Sequence, residues 1–201
     1  DMGGMDHSQH NMGGMAAFIG SGLAGYGTSL PLNHDNVKMG PQVDMLADAA
    51  RYQLDDPGIG LRNNGRRVLT YADLRNLGKT HDPRQPEREI DLHLTGNMSR
   101  YMWSINGIKF ADADPLKLKY GERVRINLIN DTMMNHPIHL HGMWSDLETG
   151  DGDHIPRKHT VIAQPGAKIS YLVTADAKGE WAYHCHLIYH MLGMFRKVVV
   201  S

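Results

Sequence analysis

Arg123-Val124-Arg125-Ile126-Asn127-Leu128-Ile129-Asn130 decides the fold class. Val124, Ile126 and Leu128 alternate with polar residues, the period-two pattern of a strand with one face in a core. Ile90, Leu92 and Leu94 repeat that pattern upstream, and Ile169, Tyr171 and Val173 repeat it downstream; the apolar run Val198–Val200 closes the chain. Turn signals separate these stretches at Asn106-Gly107, Gly121-Glu122, Gly150 to Gly152, Pro165-Gly166 and Lys178-Gly179. About seven or eight short strands within about 115 residues, with no helical period between them, predict an all-β, Greek-key β-sandwich or barrel over residues 88–201. No internal repeat is visible.

Upstream of residue 88 the texture differs. Residues 16–87 read as linker and connector, Gly-rich as far as Pro31 and Pro41. Two short helices are expected there. One lies within 43–54; the other covers 71–77, with Thr70 as N-cap, Asp73 in the first turn and Gly78 as the stop. Residues 1–15 carry Met2, Met5, Met12 and Met15 with His7 and His10 and almost nothing to build a core, so they read as a flexible, metal-binding segment. The chain begins at Asp1 without an initiator Met or a signal pattern, as expected of a processed product or a piece of something longer.

Composition narrows the function. Of 201 residues, 21 are Lys or Arg and 22 Asp or Glu, a net charge of −1 that argues against nucleic-acid binding. No apolar run approaches the ~18 residues of a membrane span. What stands out is 13 His and 13 Met beside a single Cys.

Six of those histidines and the cysteine occupy two windows: His136-Pro137-Ile138-His139-Leu140-His141, and His184-Cys185-His186 followed by His190 and Met194. On a strand, His184 and His186 project to one face and Cys185 to the other. His139 and His141 share a face, and parity places His136 opposite them. The residues thus sort into a His₂Cys set with a thioether (His136, Cys185, His190 and a nearby Met), the ligand set of a blue-copper centre, and an all-imidazole set of two His-x-His pairs. Zinc also takes Cys and His, but it explains neither the Met nor the back-to-back arrangement.

At these residues the sequence resembles the C-terminal cupredoxin domain of a multicopper oxidase, whose H-x-x-H-x-H and H-C-H-x₃-H motifs are both present. Thr132-Met133-Met134-Asn135-His136, Pro156-Arg157-Lys158-His159-Thr160, Thr174-Ala175-Asp176 and Tyr189-His190-Met191 are similar to the copper-resistance protein A branch, and the likeness runs over roughly residues 40–201. The resemblance implies copper as cofactor. His136, Cys185 and His190 would be type 1 ligands with Met194 axial, and Met191 as the substitute. His139 would serve the type 2 copper, and His141, His184 and His186 the type 3 pair. Cys185, His184 and His186 would then carry electrons from a reducing substrate, Cu(I) or a phenol, to a trinuclear cluster that reduces O₂. Such a cluster needs four His-x-His pairs. This chain supplies two, so an N-terminal cupredoxin domain or chain is the implied partner, in a periplasmic copper-resistance oxidase.

Asp131, Met133 and Met134 precede His136 and are candidates for docking Cu(I), a carboxylate beside thioethers. His154 and His159 read as surface residues, and His34, His81 and His93 have no metal-ligand spacing. The rival reading is a free-standing cupredoxin that binds copper or relays electrons without reducing O₂. The two His-x-His pairs would be superfluous there.

Overall fold

A computed structural model describes residues 27–201. The Met/His-rich segment 1–15 lies outside the described residues. No helix among the described residues is long and apolar enough to cross a membrane.

Two mixed sheets face each other across one core. The first orders β4 (Met102–Ile105), β3 (Arg88–Asn97), β6 (Arg123–Asn130), β11 (Lys168–Thr174), β8 (Ser145–Leu147) and β9 (Arg157–Lys158). The second orders β10 (Thr160–Ala163), β7 (His136–Leu140), β12 (Gly179–Cys185), β13 (Phe195–Val200) and β5 (Leu116–Leu118). The β3–β6 and β13–β5 pairs are parallel and the others antiparallel. The structure is a cupredoxin-like β-sandwich, the all-β class expected from the alternating pattern. Its strands outnumber the expectation because β8, β9 and β5 are too short to leave a periodic signature.

Leu92, Leu94, Ile126, Leu128, Ile169, Tyr171 and Val173 from one sheet meet Ile138, Leu140, Tyr183, Cys185, Val198 and Val200 from the other. The Tyr171 and Tyr183 hydroxyls bond to each other across this core, both fully buried, and burial pushes both phenols upward. The polar face of β6 is buried as well: Arg123, Arg125 and Asn127 are each 3% exposed or less. Arg125 spans Glu89 and Glu148, while Arg123 bonds Asp146, Thr174 and the Arg84 carbonyl. Alternation therefore separates an apolar interior from a buried ionic layer rather than from water.

The connector corrects both expected helices. Residues 43–54 form no helix; Ala50, Tyr52 and Leu54 are buried in alternation, and Ala50–Arg51 forms strand β2 against β1 (Ser29–Leu30). Period-two burial against the sandwich overrides the helix propensity of the alanines. At 71–77 the Thr70–Asp73 capping box is present, but it caps only a 3₁₀ turn, Tyr71–Asp73, and Leu74 is already extended. Downstream, Asn76 and Thr80 donate to the carbonyls of His154 and Asp153, which pulls the segment straight. Leu77 is wholly exposed, so continued helix would bury nothing there. The one α-helix among the described residues, α1 (Ile188–Met191), instead lies in the second histidine window.

Candidate metal centre

β7 and β12 are antiparallel neighbours, with His184 opposite His139 and Cys185 opposite Ile138. Pro137 stays within the strand, paired with Ile162, so the parity of the first window survives. Side chains of alternate residues therefore leave the strand pair in opposite directions.

Toward the core, His136, Cys185 and His190 converge, each 1% exposed or less. Cys185 Sγ lies 3.7 Å from His136 Nδ1 and 3.8 Å from His190 Nδ1, and the two Nδ1 atoms are 3.2 Å apart. β7 supplies His136, β12 supplies Cys185, and α1 returns His190 to the same point. The outer nitrogens are held elsewhere. His136 Nε2 bonds the Thr132 hydroxyl at 2.7 Å, and His190 Nε2 lies 3.4 Å from the Tyr101 hydroxyl. Trp103 stacks on His190 with centroids 4.0 Å apart and meets His136 edge-on. These contacts fix each ring so that Nδ1 points inward, as ligand-orienting partners do. Sequence spacing gave no signal for Tyr101 or Trp103, which reach the site from the β3–β4 hairpin.

Met194 is fully buried in the same core cluster, its amide donating to the His190 carbonyl at 2.9 Å and its carbonyl accepting from the Cys185 amide at 3.0 Å. Met191 is only half-buried. Between them Gly193 touches the β4 backbone: a Cβ there would stand 1.9 Å from the Trp103 carbonyl oxygen. No other residue allows the turn after α1 to sit this close.

Burial sets the protonation of this site. It lowers His136 to about 3, with the neighbouring His190 adding to the effect, and it lowers His190 too. It raises the Cys185 thiol to about 11 against a smaller opposing pull from the Leu187 amide. Two neutral imidazoles and a soft sulfur, dry and convergent, with a buried thioether alongside, fit copper by donor chemistry.

On the opposite face His139, His141, His184 and His186 form one imidazole cluster, with ring centroids 4.5–5.8 Å apart around the set. His184 is buried, His139 partly so, and His141 and His186 are exposed, so the cluster opens outward. His139 Nδ1 donates to the His159 carbonyl and His184 Nδ1 to the Cys185 carbonyl, leaving both Nε2 atoms facing the cluster. His141 and His184 approach Nε2 to Nε2 at 3.1 Å. Desolvation lowers both of these rings, and the neighbouring imidazoles reinforce it. His159, read as a surface residue, stands edge-on to His139 at 5.6 Å and shares the wall of a cavity with His139, His141 and Trp144.

The three residues before His136 do not form a common docking surface. Met133 is 70% exposed and Met134 partly buried, but Asp131 is 2% exposed and faces inward. Its carboxylate accepts from the Ala47 amide and contacts His93, so it is spent inside the fold, not beside exposed thioethers.

Comparison with known proteins gives the family. The sequence model of the multicopper oxidase family matches residues 83–201. The chain is 55% identical to copper resistance protein A of Escherichia coli over its whole length, which is 38% of that relative, and 65% identical to copper resistance protein A of Pseudomonas syringae pv. tomato over 80% of the chain and 27% of the relative. It therefore spans little more than a third of the length of these relatives at most. Among solved structures, a multicopper oxidase from Campylobacter jejuni described as a metallo-oxidase superposes with a TM-score of 0.52 at 21% identity, covering 67% of this chain and 34% of that one, a likeness of fold. With two copper-type donor sets on opposite faces of one strand pair, and with these relatives, the chain belongs to the multicopper oxidase family.

Proposed function

We propose that the chain is the C-terminal part of a periplasmic, copper-dependent oxidase with a role in copper resistance. It takes electrons one at a time from a reducing substrate, Cu(I) or a phenol, and delivers them to O₂. Residues 88–201 form its cupredoxin domain, 16–87 the connector and 1–15 a Met/His-rich segment. Copper, when bound, supplies reversible one-electron chemistry at the first donor set and, with a complementary domain, multi-electron reduction of O₂ at the second.

The observation that carries this reading is Cys185. Its sulfur lies in the first donor set, while its peptide bonds lead directly to His184 and His186, whose rings lie in the second. A single strand thus links the two sets through covalent bonds. His136 and His190 flank the sulfur at 3.7 and 3.8 Å, and all three residues are buried from water. Met194, fully buried and hydrogen-bonded through its backbone to Cys185 and His190, is assigned as the axial thioether. Thr132 and Tyr101 hold the rings, and Trp103 fills the space against His190. His139 belongs to the type 2 position and His141, His184 and His186 to the type 3 positions. Their exposed face is where a partner with two further His-x-His pairs would complete the cluster. A free-standing cupredoxin leaves these four imidazoles without a use.

The test is oxygen uptake with Cu(I) and with a phenol. The copper-loaded chain alone should give none. Joined to an N-terminal portion carrying two His-x-His pairs, it should consume O₂, and Cys185→Ser should abolish that. Failure of the joined protein to consume O₂ with either reductant contradicts the proposal.

A further inference from the structure

A third group of metal-type donors shares no residue with either set. His93 sits between the core residues Leu92 and Leu94 on β3 and so faces the other side of the six-stranded sheet. Asp131 follows β6, held there by its amide bond to the Leu94 carbonyl. His34 comes from the connector, 59 residues before His93 in the chain, which is why no spacing rule marks the group. One donor atom from each lies within 4.8 Å of the others.

Hydrogen-bond accounting leaves a gap there. His93 Nε2 is 2.8 Å from the Asn33 carbonyl, which only accepts, so this nitrogen carries the proton. With one proton on the ring, Nδ1 turns a lone pair toward Asp131 Oδ2 at 2.7 Å. Two electron-rich atoms at that distance need a positive charge between them. A proton would serve that pair alone. It would leave His34 Nε2, which is buried, without a hydrogen-bond partner and 3.8 Å from Asp131 Oδ1. One cation drawing on all three side chains accounts for every atom.

We propose that His34, His93 and Asp131 bind a divalent transition-metal ion, Zn²⁺ or Cu²⁺, that fastens the connector to the outer face of the six-stranded sheet. Two imidazoles and a carboxylate, with no sulfur, suit these ions and not Cu(I). The surroundings resemble those of built metal sites: the second nitrogen of His93 donates to a backbone carbonyl, and Asp131 Oδ1 accepts the Ala47 amide at 2.9 Å. The inference is independent of the oxidase reading, since none of the three residues belongs to either donor set described above.

The test compares the wild-type chain with His34→Gln, each copper-loaded, by equilibrium dialysis against Zn²⁺ and separately against Cu²⁺. Residues 1–15 and the imidazole cluster take up metal equally in both, so the difference counts this site. Wild type should retain one more ion per chain, and long-range ¹H–¹⁵N spectra should show the His93 Nδ1 signal move on metal addition in wild type alone. Cleavage of the connector by protease should slow with metal in wild type and not in the variant. Equal metal counts with an unmoved His93 Nδ1 would overturn the proposal. If His34→Gln failed to fold, the His93 signal of wild type would decide by itself.

Discussion

Metal binding at the His136–Cys185–His190 site should release one proton per ion across the neutral range. Burial holds His136 neutral until about pH 3 and holds the Cys185 thiol protonated until about pH 11. His190 is lowered from 6.5 as well, so from about pH 6.5 upward to the thiol limit the metal displaces only the thiol proton and affinity should rise tenfold per pH unit. Raising the thiol from its usual 9 to about 11 adds two pH units of proton competition, about 2.7 kcal/mol. Titrations with Co²⁺, followed at the thiolate-to-metal absorption band, report this site and no other, because the protein has one cysteine. From pH 7 to pH 9 the dissociation constant should fall about 100-fold, with log K against pH a straight line of unit slope. Ordinary imidazoles near 6.5 would steepen the line below that pH, and a preformed thiolate would flatten it above 7. Either result would refute the claim that the site is dry and neutral before metal enters.

Three further outcomes follow from the same packing. Gly193→Ala should destabilise the protein by about 1–3 kcal/mol, because the clash is with the Trp103 backbone, and should shift the visible spectrum of the copper-loaded chain; denaturant melts and absorption check this. Tyr171→Phe should cost about 1–3 kcal/mol by leaving the Tyr183 hydroxyl buried without its partner, measurable by urea unfolding. The metal-free protein should be most stable between about pH 6.5 and 9. The lowered His136 contributes stability that is present above 6.5 and lost as pH falls toward 3, and the raised Cys185 contributes stability that is present below 9 and lost as pH rises toward 11. Melting temperatures that rise as pH falls below 6.5, or that rise as pH increases above 9, would contradict this.

The strands and both donor sets were legible because each rests on local pattern. Alternation marks β3, β6 and β11, and parity along β7 and β12 sorts the ligands by face without knowledge of the pairing. What pattern missed is contact between distant segments. The expected helix at 43–54 became extended chain because Ala50, Tyr52 and Leu54 found a surface to bury against, and that surface is invisible within the segment. α1 was missed because four residues cannot show a period. Asp131 reads as a Cu(I)-docking carboxylate beside methionines, and only the fold turns it inward to His93 and His34. Tyr101 and Trp103 likewise reach His190 through a hairpin, across nearly 90 residues of sequence.

The central claim is that this chain carries one complete His₂Cys copper site and half of a larger cluster. Copper content per chain, measured with optical and spin-resonance spectra on the 201-residue polypeptide without added partner, tests it most directly. One of the bound coppers, and one alone, should be strongly blue and lose its colour in Cys185→Ser, with no oxidase turnover. A colourless zinc protein, or a full copper complement with O₂ turnover from this chain alone, would contradict it.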